Sequence, residues 1–352
     1  MGGFPEALCG PESVPVLLEL LEHGAVRARV WSECSPASGA VGHERHIQAR
    51  ETNPFLKTFS VKRQERSSRM SLLNTGRPTT AQRATSPDQG SALSSYPVRP
   101  DLLPTEESIA GRYFMRFARS PQDLEAVERL RFEVFNLELS EGLDSAFETG
   151  RDHDELDPWF HHLLILSRDS GKALGTYRLQ TAEMAAAGRG FYSAGEYDLS
   201  GLPSGFLASA VEVGRACVAK EHRNGRVLNL LWRGLAQYLT HTAKRYLFGC
   251  CSLTSQEPAL GMATLHYLKQ RNLLHPEFSA APLPDLNCEM LADPNLVAGQ
   301  QVRIPALFQS YLNLGAKVCG GPALDRLFKT IDFLVVLDIE ALDLHSYRFF
   351  FR

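Results

Sequence analysis

Residues 211–235 limit what this chain can fold into more than any other stretch. Val211, Val213 and Val218 alternate around polar Glu212 and Arg215, the period of a half-buried strand. A short basic loop follows, with Lys220, His222, Arg223 and Arg226 around Gly225. Leu228, Leu231, Trp232 and Leu235 then recur at helical spacing. A strand that delivers a glycine-containing loop to a helix start leaves backbone N–H groups and a positive dipole end facing outward. Such a turn can hold a pyrophosphate or phosphopantetheine phosphate, with Arg223, Asn224, Gly225 and Arg226 as its candidate grip. The same turn also occurs as ordinary structure, so the rest of the chain must decide between the two.

At 352 residues the chain is long enough for one large domain or two modest ones. Its 44% hydrophobic and 22% charged residues are those of a globular protein. A formal charge of −3 argues against bulk nucleic-acid binding, so any basic surface is local. The seven cysteines include no CxxC pair and sit mostly in apolar runs, which reads as reduced, buried thiols in a cytoplasmic protein. No apolar run approaches the roughly 20 residues needed to span a bilayer. The run from Val14 to Ala25 is interrupted by Glu19 and Glu22 and has no basic leader, so it does not read as a signal peptide.

Residues 1–110 are expected to be a disordered or non-native extension. Ser13 to His23 suggests one short helix, and residues 71–110 hold 18 Ser, Thr, Pro or Gly in 40. A true start at Met70 would explain this composition. The single domain is expected over residues 111–345. A strand is read at 112–118. A helix follows, capped by Ser120 with Pro121 in its first turn, running to about Leu139. Residues 140–158 form an acidic connector with seven Asp or Glu against one Arg. A hairpin (161–167 and 173–180), the strand 211–218 with its helix, a buried strand 246–253 and a helix 258–271 come next. A short helix at 305–314 and strands at 316–319 and 330–338 close the list. One parallel crossover lies at its centre, so the fold is mixed α/β.

This order resembles the GNAT N-acyltransferase fold, an α/β fold with a mixed central sheet and splayed central parallel strands. The stretches 130–135, 152–157, 175–179 and 212–215 resemble the ornithine-lipid acyltransferases, and the acyl-homoserine lactone synthases are similar in the same places. The late segment 311–322, with Asp325, Phe328 and residues 330–334, looks more like the ornithine-lipid branch. The resemblance covers about residues 112–340. It departs from the usual GNAT phosphate loop in having Gly225 one place early. It implies transfer of a 3-hydroxyacyl group from acyl carrier protein to the α-amine of ornithine or a related amino acid. No cofactor is implied beyond the donor thioester, on acyl carrier protein or coenzyme A.

Amide formation from a thioester needs a neutral amine, a polarised carbonyl and a leaving thiolate. By the resemblance, strands 211–218 and 247–253 part around the acyl-pantetheine, with Val218 near the thioester and backbone N–H groups facing the developing oxyanion. Glu212, among valines, is the expected acceptor of the amine proton, with Arg215 beside it. Its structural reading is an ion pair with Arg215 or Arg178. Ornithine carries two ammonium groups and one carboxylate. Asp154 and Asp157 are therefore expected to meet the ammonium groups, and Arg131 or Arg178, with Phe135 nearby, to meet the carboxylate. A solvated acidic loop is the plainer reading of the same residues.

Lys220, Arg223 and Arg226, with Arg233, Lys244 and Arg245, suggest a basic rim for an acidic carrier protein. No metal site is expected, since His161 and His162 open a strand and face opposite sides. The protein is expected in the cytoplasm, with transient contact at the inner membrane through the aromatic end Tyr347 to Phe351, unless that end packs on the domain. Two alternatives remain open: a lactone-forming autoinducer synthase using S-adenosylmethionine, and a non-catalytic acyl-binding relative.

Overall fold

The structure, a computed structural model, describes residues 96–351. The expected helix at 13–23 and the reading of Met70 as a start lie outside the described residues. Residues 96–110, expected in the extension, are instead part of the fold. Tyr96 is buried with its hydroxyl 3.1 Å from His162 Nδ1, and His161 Nε2 donates to the Val98 carbonyl at 2.7 Å. Ser108–Ala110 (β1) pairs antiparallel with Tyr113–Phe117 (β2). Few apolar residues precede Gly111, but Tyr96 and Leu103 are both buried, which ties this segment down.

His161–Ser167 (β3) and Ala173–Thr181 (β4) form the expected hairpin. Tyr197–Asp198 (β5) pairs with Ala281–Pro282 (β8) in a small separate ladder. The central strands are Ala210–Val218 (β6) and Tyr246–Leu253 (β7). Lys317–Val318 (β9), Ala323–Asp325 (β10) and Thr330–Asp338 (β11) complete a sheet ordered β1-β2-β3-β4-β6-β7-β11-β10, with β9 also on β11. Only β6 and β7 run parallel; the other paired strands in this sheet are antiparallel.

Pro121–Arg131 (α1) is capped by the Ser120 hydroxyl, which accepts from Asp123 N, and continues as wide π turns from Phe132 to Leu139. Leu124, Val127, Leu130 and Val134 bury against Leu164, Ala173 and Cys217 on one face of the sheet. Gly225–Thr242 (α2) covers the other face, where Val227, Leu231, Leu235 and Leu239 meet Met115, Leu163, Tyr177 and Val211. Pro258–Gln270 (α3), Ala306–Asn313 (α4) and Leu344–Phe351 (α5) pack on that second core. The aromatic C-terminal end therefore packs inward in part: Phe350 is buried 4.8 Å from the Trp232 ring. Among the described residues no helix is long and apolar enough to cross a membrane.

The decisive feature is how soon β6 and β7 separate. They pair at Ala210↔Tyr246, Val211↔Leu247 and Glu212↔Phe248, and no further. At the fork, a Cβ added to Gly249 would stand 2.1 Å from the Val213 carbonyl oxygen. Arg215, at φ 48°, then bulges β6 so that the register on β4 shifts between Thr176↔Cys217 and Arg178↔Gly214. A left-handed backbone at an arginine is strained, and it bends β6 away from β7. Gly249→Ala should set a side chain against fixed backbone and cost about 1–3 kcal/mol. Thermal unfolding should show a loss of roughly 2–4 °C for each kcal/mol in a domain of this size. An unchanged melting temperature would mean the fork does not depend on that close approach.

Candidate active site

Past Glu212, the edge of β6 that faces β7 has no strand partner, and its outward N–H groups open into a cavity of about 570 Å³. The cavity runs through the sheet from one face to the other. On the α2 side it is apolar, with Leu228, Leu231, Leu247, Phe308, Val335 and Leu337 in its wall. Tyr177 and Tyr311 face it there, hydroxyl to hydroxyl. On the α1 side it is polar, walled by Arg178, Tyr192, Arg215, Ser252, Asp325 and Asp332. Of the expected site residues, Phe135, Arg178, Arg215, Val218, Arg223 and Asn224 line it. Arg131, Asp154, Asp157, Glu212, Gly225 and Arg226 do not.

The loop at the mouth holds itself together more than expected. Asn224 caps α2, its Oδ1 accepting from Arg226 N at 3.1 Å and Val227 N at 3.2 Å. These are two of the donors that a phosphate would otherwise meet. Arg223 is clamped by Glu138, with both Nη–Oε distances 2.6 Å, and by the Val218 carbonyl at 3.1 Å. Arg223 and Asn224, expected to grip a phosphate, thus line the cavity with these polar groups already engaged. Gly225 opens α2, and Arg226 beside it is exposed.

The acidic connector divides: Asp144, Glu148 and Glu155 are exposed, whereas Asp152, Asp154 and Asp157 are taken up by arginines. Asp157 is fully buried and takes Arg131 Nη1 at 2.7 Å, Arg178 Nη1 at 3.1 Å and the Asp154 N–H at 2.9 Å. Asp154 takes Arg178 Nη1 at 2.6 Å, and Asp152 pairs with Arg131 and Arg215. Burial alone would raise the Asp157 carboxyl, but the Arg131 guanidinium holds it well below the usual range. Three arginines thus neutralise three aspartates. The ammonium role expected for Asp154 and Asp157, and the carboxylate role for Arg131, do not match these positions. Arg178 is different. It lines the cavity between the Phe160 and Tyr192 rings and keeps its buried Nε without a partner. Arg215 likewise lines the cavity, between the Phe135 and Phe328 rings, with Nε buried and unpartnered.

Glu212 pairs with neither Arg215 nor Arg178. Its carboxylate accepts from Tyr192 N at 2.9 Å, Ser193 N at 2.7 Å and Ser193 Oγ at 2.6 Å. Burial raises this carboxyl and the Ser193 and Tyr192 donors pull it back. Placed off the cavity wall, Glu212 positions Tyr192 rather than touching a ligand itself.

Sequence reasoning missed the carboxyls at the polar end. Asp325 Oδ1 accepts from Leu327 N at 2.7 Å and Phe328 N at 3.0 Å, and its Oδ2 accepts from Tyr192 Oη at 2.8 Å. Asp332 accepts from Thr330 Oγ1 at 2.8 Å. Glu196, Cys250 and Asp332 each bring a ligand atom within 4.8 Å of the others. Burial and the Asp325 charge push Asp332 up to about 6, and burial with Asp332 pushes Glu196 well above the carboxylate range. The signal was present in one place: Asp332 is the lone acid inside the apolar run 331–337. A metal would need the Cys250 thiol deprotonated, and burial with the Glu196 charge raises that thiol too.

A mixed sheet whose one parallel pair parts around a two-ended cavity, with a helix N-terminus at its mouth, defines a GNAT-type acyltransferase. Residues 130–233 match the acetyltransferase (GNAT) domain family. The chain is 33% identical over 237 residues to the L-ornithine N(alpha)-acyltransferase of Agrobacterium fabrum, covering 64% of this chain and 81% of that relative. It is 31% identical over 250 residues to the L-ornithine N(alpha)-acyltransferase of Rhodobacter capsulatus, covering 68% of this chain and 95% of that relative. The crystal structure of the AHL synthase LasI aligns with 65% of this chain and 91% of its own, at 12% identity and a TM-score of 0.37. The chain belongs to the L-ornithine N(alpha)-acyltransferase family.

Two carboxyls give opposite expectations. Asp157→Ala removes the carboxylate that two buried guanidiniums share and should cost about 3–5 kcal/mol in denaturant unfolding. A variant of normal stability with only a raised KM would instead restore Asp157 as an amine ligand. Asp332 has a raised folded-state value, so its stabilising contribution is complete below the ordinary value of 3.8 and is lost as pH rises through about 6. Asp332→Asn should match wild type near pH 4 and exceed it above pH 6, by at most about 3 kcal/mol at about 1.4 kcal/mol per pKa unit. Melting curves from pH 4 to 8 that run parallel would refute this.

Proposed function

We propose that this acyltransferase moves a 3-hydroxyacyl group from acyl carrier protein to the α-amine of ornithine. The observation that carries the reading is the cavity itself, apolar where an acyl chain would lie and polar where an amino acid would lie. The names of the two relatives supply ornithine as the acceptor. The acyl chain would occupy the arm under α2, among Leu228, Leu231, Phe308 and Leu337. The thioester carbonyl would meet the unpaired N–H edge of β6 near Val218. The amine attacks that carbonyl, a C–N bond forms, and the tetrahedral oxyanion collapses with loss of the C–S bond. The amine gives up one proton and the departing thiolate takes one up. Arg178 would hold the α-carboxylate through its free Nε, with Arg215 beside it against Phe135. Glu212 serves this chemistry by fixing Tyr192, and Arg215 by its place in the bulge that parts the strands.

An acidic carrier fits the surface at the mouth. Arg112, Arg168, Lys220 and Arg226 are all exposed, with Asp169 and Glu221 as acidic neighbours. Arg168 Nη1 donates to the Gly111 carbonyl at 3.1 Å, and Arg226 Nη1 lies 3.8 Å from where a Gly111 Cβ would stand. Lys244 and Arg245 fall at the far end of α2, paired with Glu183 and with Asp338 and Glu340, and do not belong to this rim.

The test is a mass assay with the purified full chain, L-ornithine and one long 3-hydroxyacyl group, presented on carrier protein or on coenzyme A. Product should form, with a KM at least about tenfold lower for the carrier-bound donor. Lys220→Glu with Arg226→Glu should erase that advantage while kcat changes little, as rim charges act on encounter. Equal use of both donors would discard the carrier. Absence of acyl-ornithine from either donor would discard the reaction, and a lactone formed with S-adenosylmethionine would select the autoinducer alternative.

A further inference from the structure

Carboxyl groups gather around the polar end of the cavity with no basic side chain paired to them. Among the described residues, no ion pair to a lysine or arginine involves Asp325, Asp332 or Glu196. The guanidiniums of Arg178 and Arg215, at the same end of the cavity, are already paired with Asp152, Asp154 and Asp157. A group of carboxyls is not by itself a site, but two further observations point to a ligand. Asp325 and Asp332 form part of the wall of a cavity large enough for an amino acid with an acyl chain. Arg178 and Arg215 line the same cavity, and the Nε of each is buried without a partner. Tyr192 measures the distance between the two walls. Its ring lies under the Arg178 guanidinium, 5.5 Å from centroid to Cζ, and its hydroxyl reaches Asp325 at 2.8 Å. Phe328 does the same from its own side, ring on Arg215 at 4.1 Å and N–H on Asp325 at 3.0 Å.

We infer that Asp332 and Asp325, backed by Glu196, form the subsite for the side-chain ammonium of a diamino acid, one tyrosine length from the guanidinium Nε atoms that take its carboxylate. This rests on the proposed transfer to an α-amino acid and adds how that acid is selected. Asp325 is held by three donors and is a fixed point of negative charge. Asp332 takes the Thr330 hydroxyl at 2.8 Å and stands in the cavity wall, where a ligand can reach it. Like charges packed so closely resist ionisation until a cation arrives, so an incoming ammonium relieves them and releases a proton. An organic cation fits better than a metal, because the cavity reaches Asp325 and Asp332, whereas of the metal-spaced trio Glu196, Cys250 and Asp332 the Glu196 carboxyl lies behind its wall.

The test compares L-ornithine with L-norvaline, which has the same carbon chain without the side-chain amine, in the full chain and in Asp332→Asn. Wild type should prefer ornithine by at least about 100-fold in kcat/KM, as sites built around a buried polar group reject analogues that lack it. In Asp332→Asn that ratio should fall by at least about tenfold, with KM for ornithine rising and the melting temperature at or above that of wild type. Asp325→Asn should lower the same ratio. Wild type that uses norvaline and ornithine equally overturns the subsite. So does a variant that loses both substrates in proportion while still folded. Should Asp332→Asn fail to fold, the wild-type ratio and the Asp325→Asn ratio decide the matter. Wild type that acylates neither amino acid, but acylates some other amine, refutes the ornithine reading itself, and the subsite's occupant falls with it.

Discussion

Everything distinctive about this molecule follows from two backbones that meet briefly and then part. Parallel strands in a sheet normally stay paired because each leaves a row of N–H and C=O groups that must be satisfied. Here β6 and β7 give that up after Glu212↔Phe248. The bulge at Arg215 turns β6 aside, and Gly249 lets the two chains touch at the fork itself. What the sheet loses in hydrogen bonds it gains as an open edge of N–H donors lining a passage between its faces. One face is sealed by the apolar side of α2 and the other carries the buried charges, so the passage is apolar at one end and polar at the other by construction.

The polar end is organised as two unequal systems. Arg131, Arg178 and Arg215 with Asp152, Asp154 and Asp157 make a closed, neutral network, fixed by hydrogen bonds and pressed between aromatic rings. Such a network contributes little net stability against an apolar alternative, yet breaking it is costly. That makes it a rigid scaffold. Asp325, Asp332 and Glu196 make the second system, with acids and no bases. Burial and their neighbouring acids raise the proton affinities of Asp332 and Glu196.

Most strands and helices were legible because they follow simple periods. The alternation around Val211 and Val213, the helical spacing from Leu228 to Leu235 and the Ser120–Pro121 start each reappear within a residue or two. The segment 96–110 was not legible, since its place depends on a few long-range contacts such as Tyr96 with His162. The site was only half legible, for the same reason. Sequence neighbours suggested that Glu212 would pair with an arginine and that the acidic connector would stay open. The partners that decide the matter come from elsewhere: Ser193 for Glu212, Arg131 for Asp157 and Glu138 for Arg223. A lone Asp332 within an apolar strand was the one local sign of the acidic subsite, and nothing nearby marked Glu196 as its neighbour.

On the reading proposed above, the two charge systems also address a chemical difficulty. A diamino acid presents two amines of similar basicity, and only one may be neutral when the thioester is near. An ammonium seated against Asp332 and Asp325 is held in its charged form, because each neighbouring carboxylate raises its hold on the proton. The α-amine, one tyrosine length away beside the neutral arginine–aspartate network, has no net negative charge to retain its proton. It also lies closer to the open N–H edge of β6. Selectivity for the α position then needs no dedicated base that distinguishes the two amines. It follows from where the uncompensated acids are placed, and this gives Glu212 a sufficient task in keeping Tyr192, the spacer between the two systems, in position.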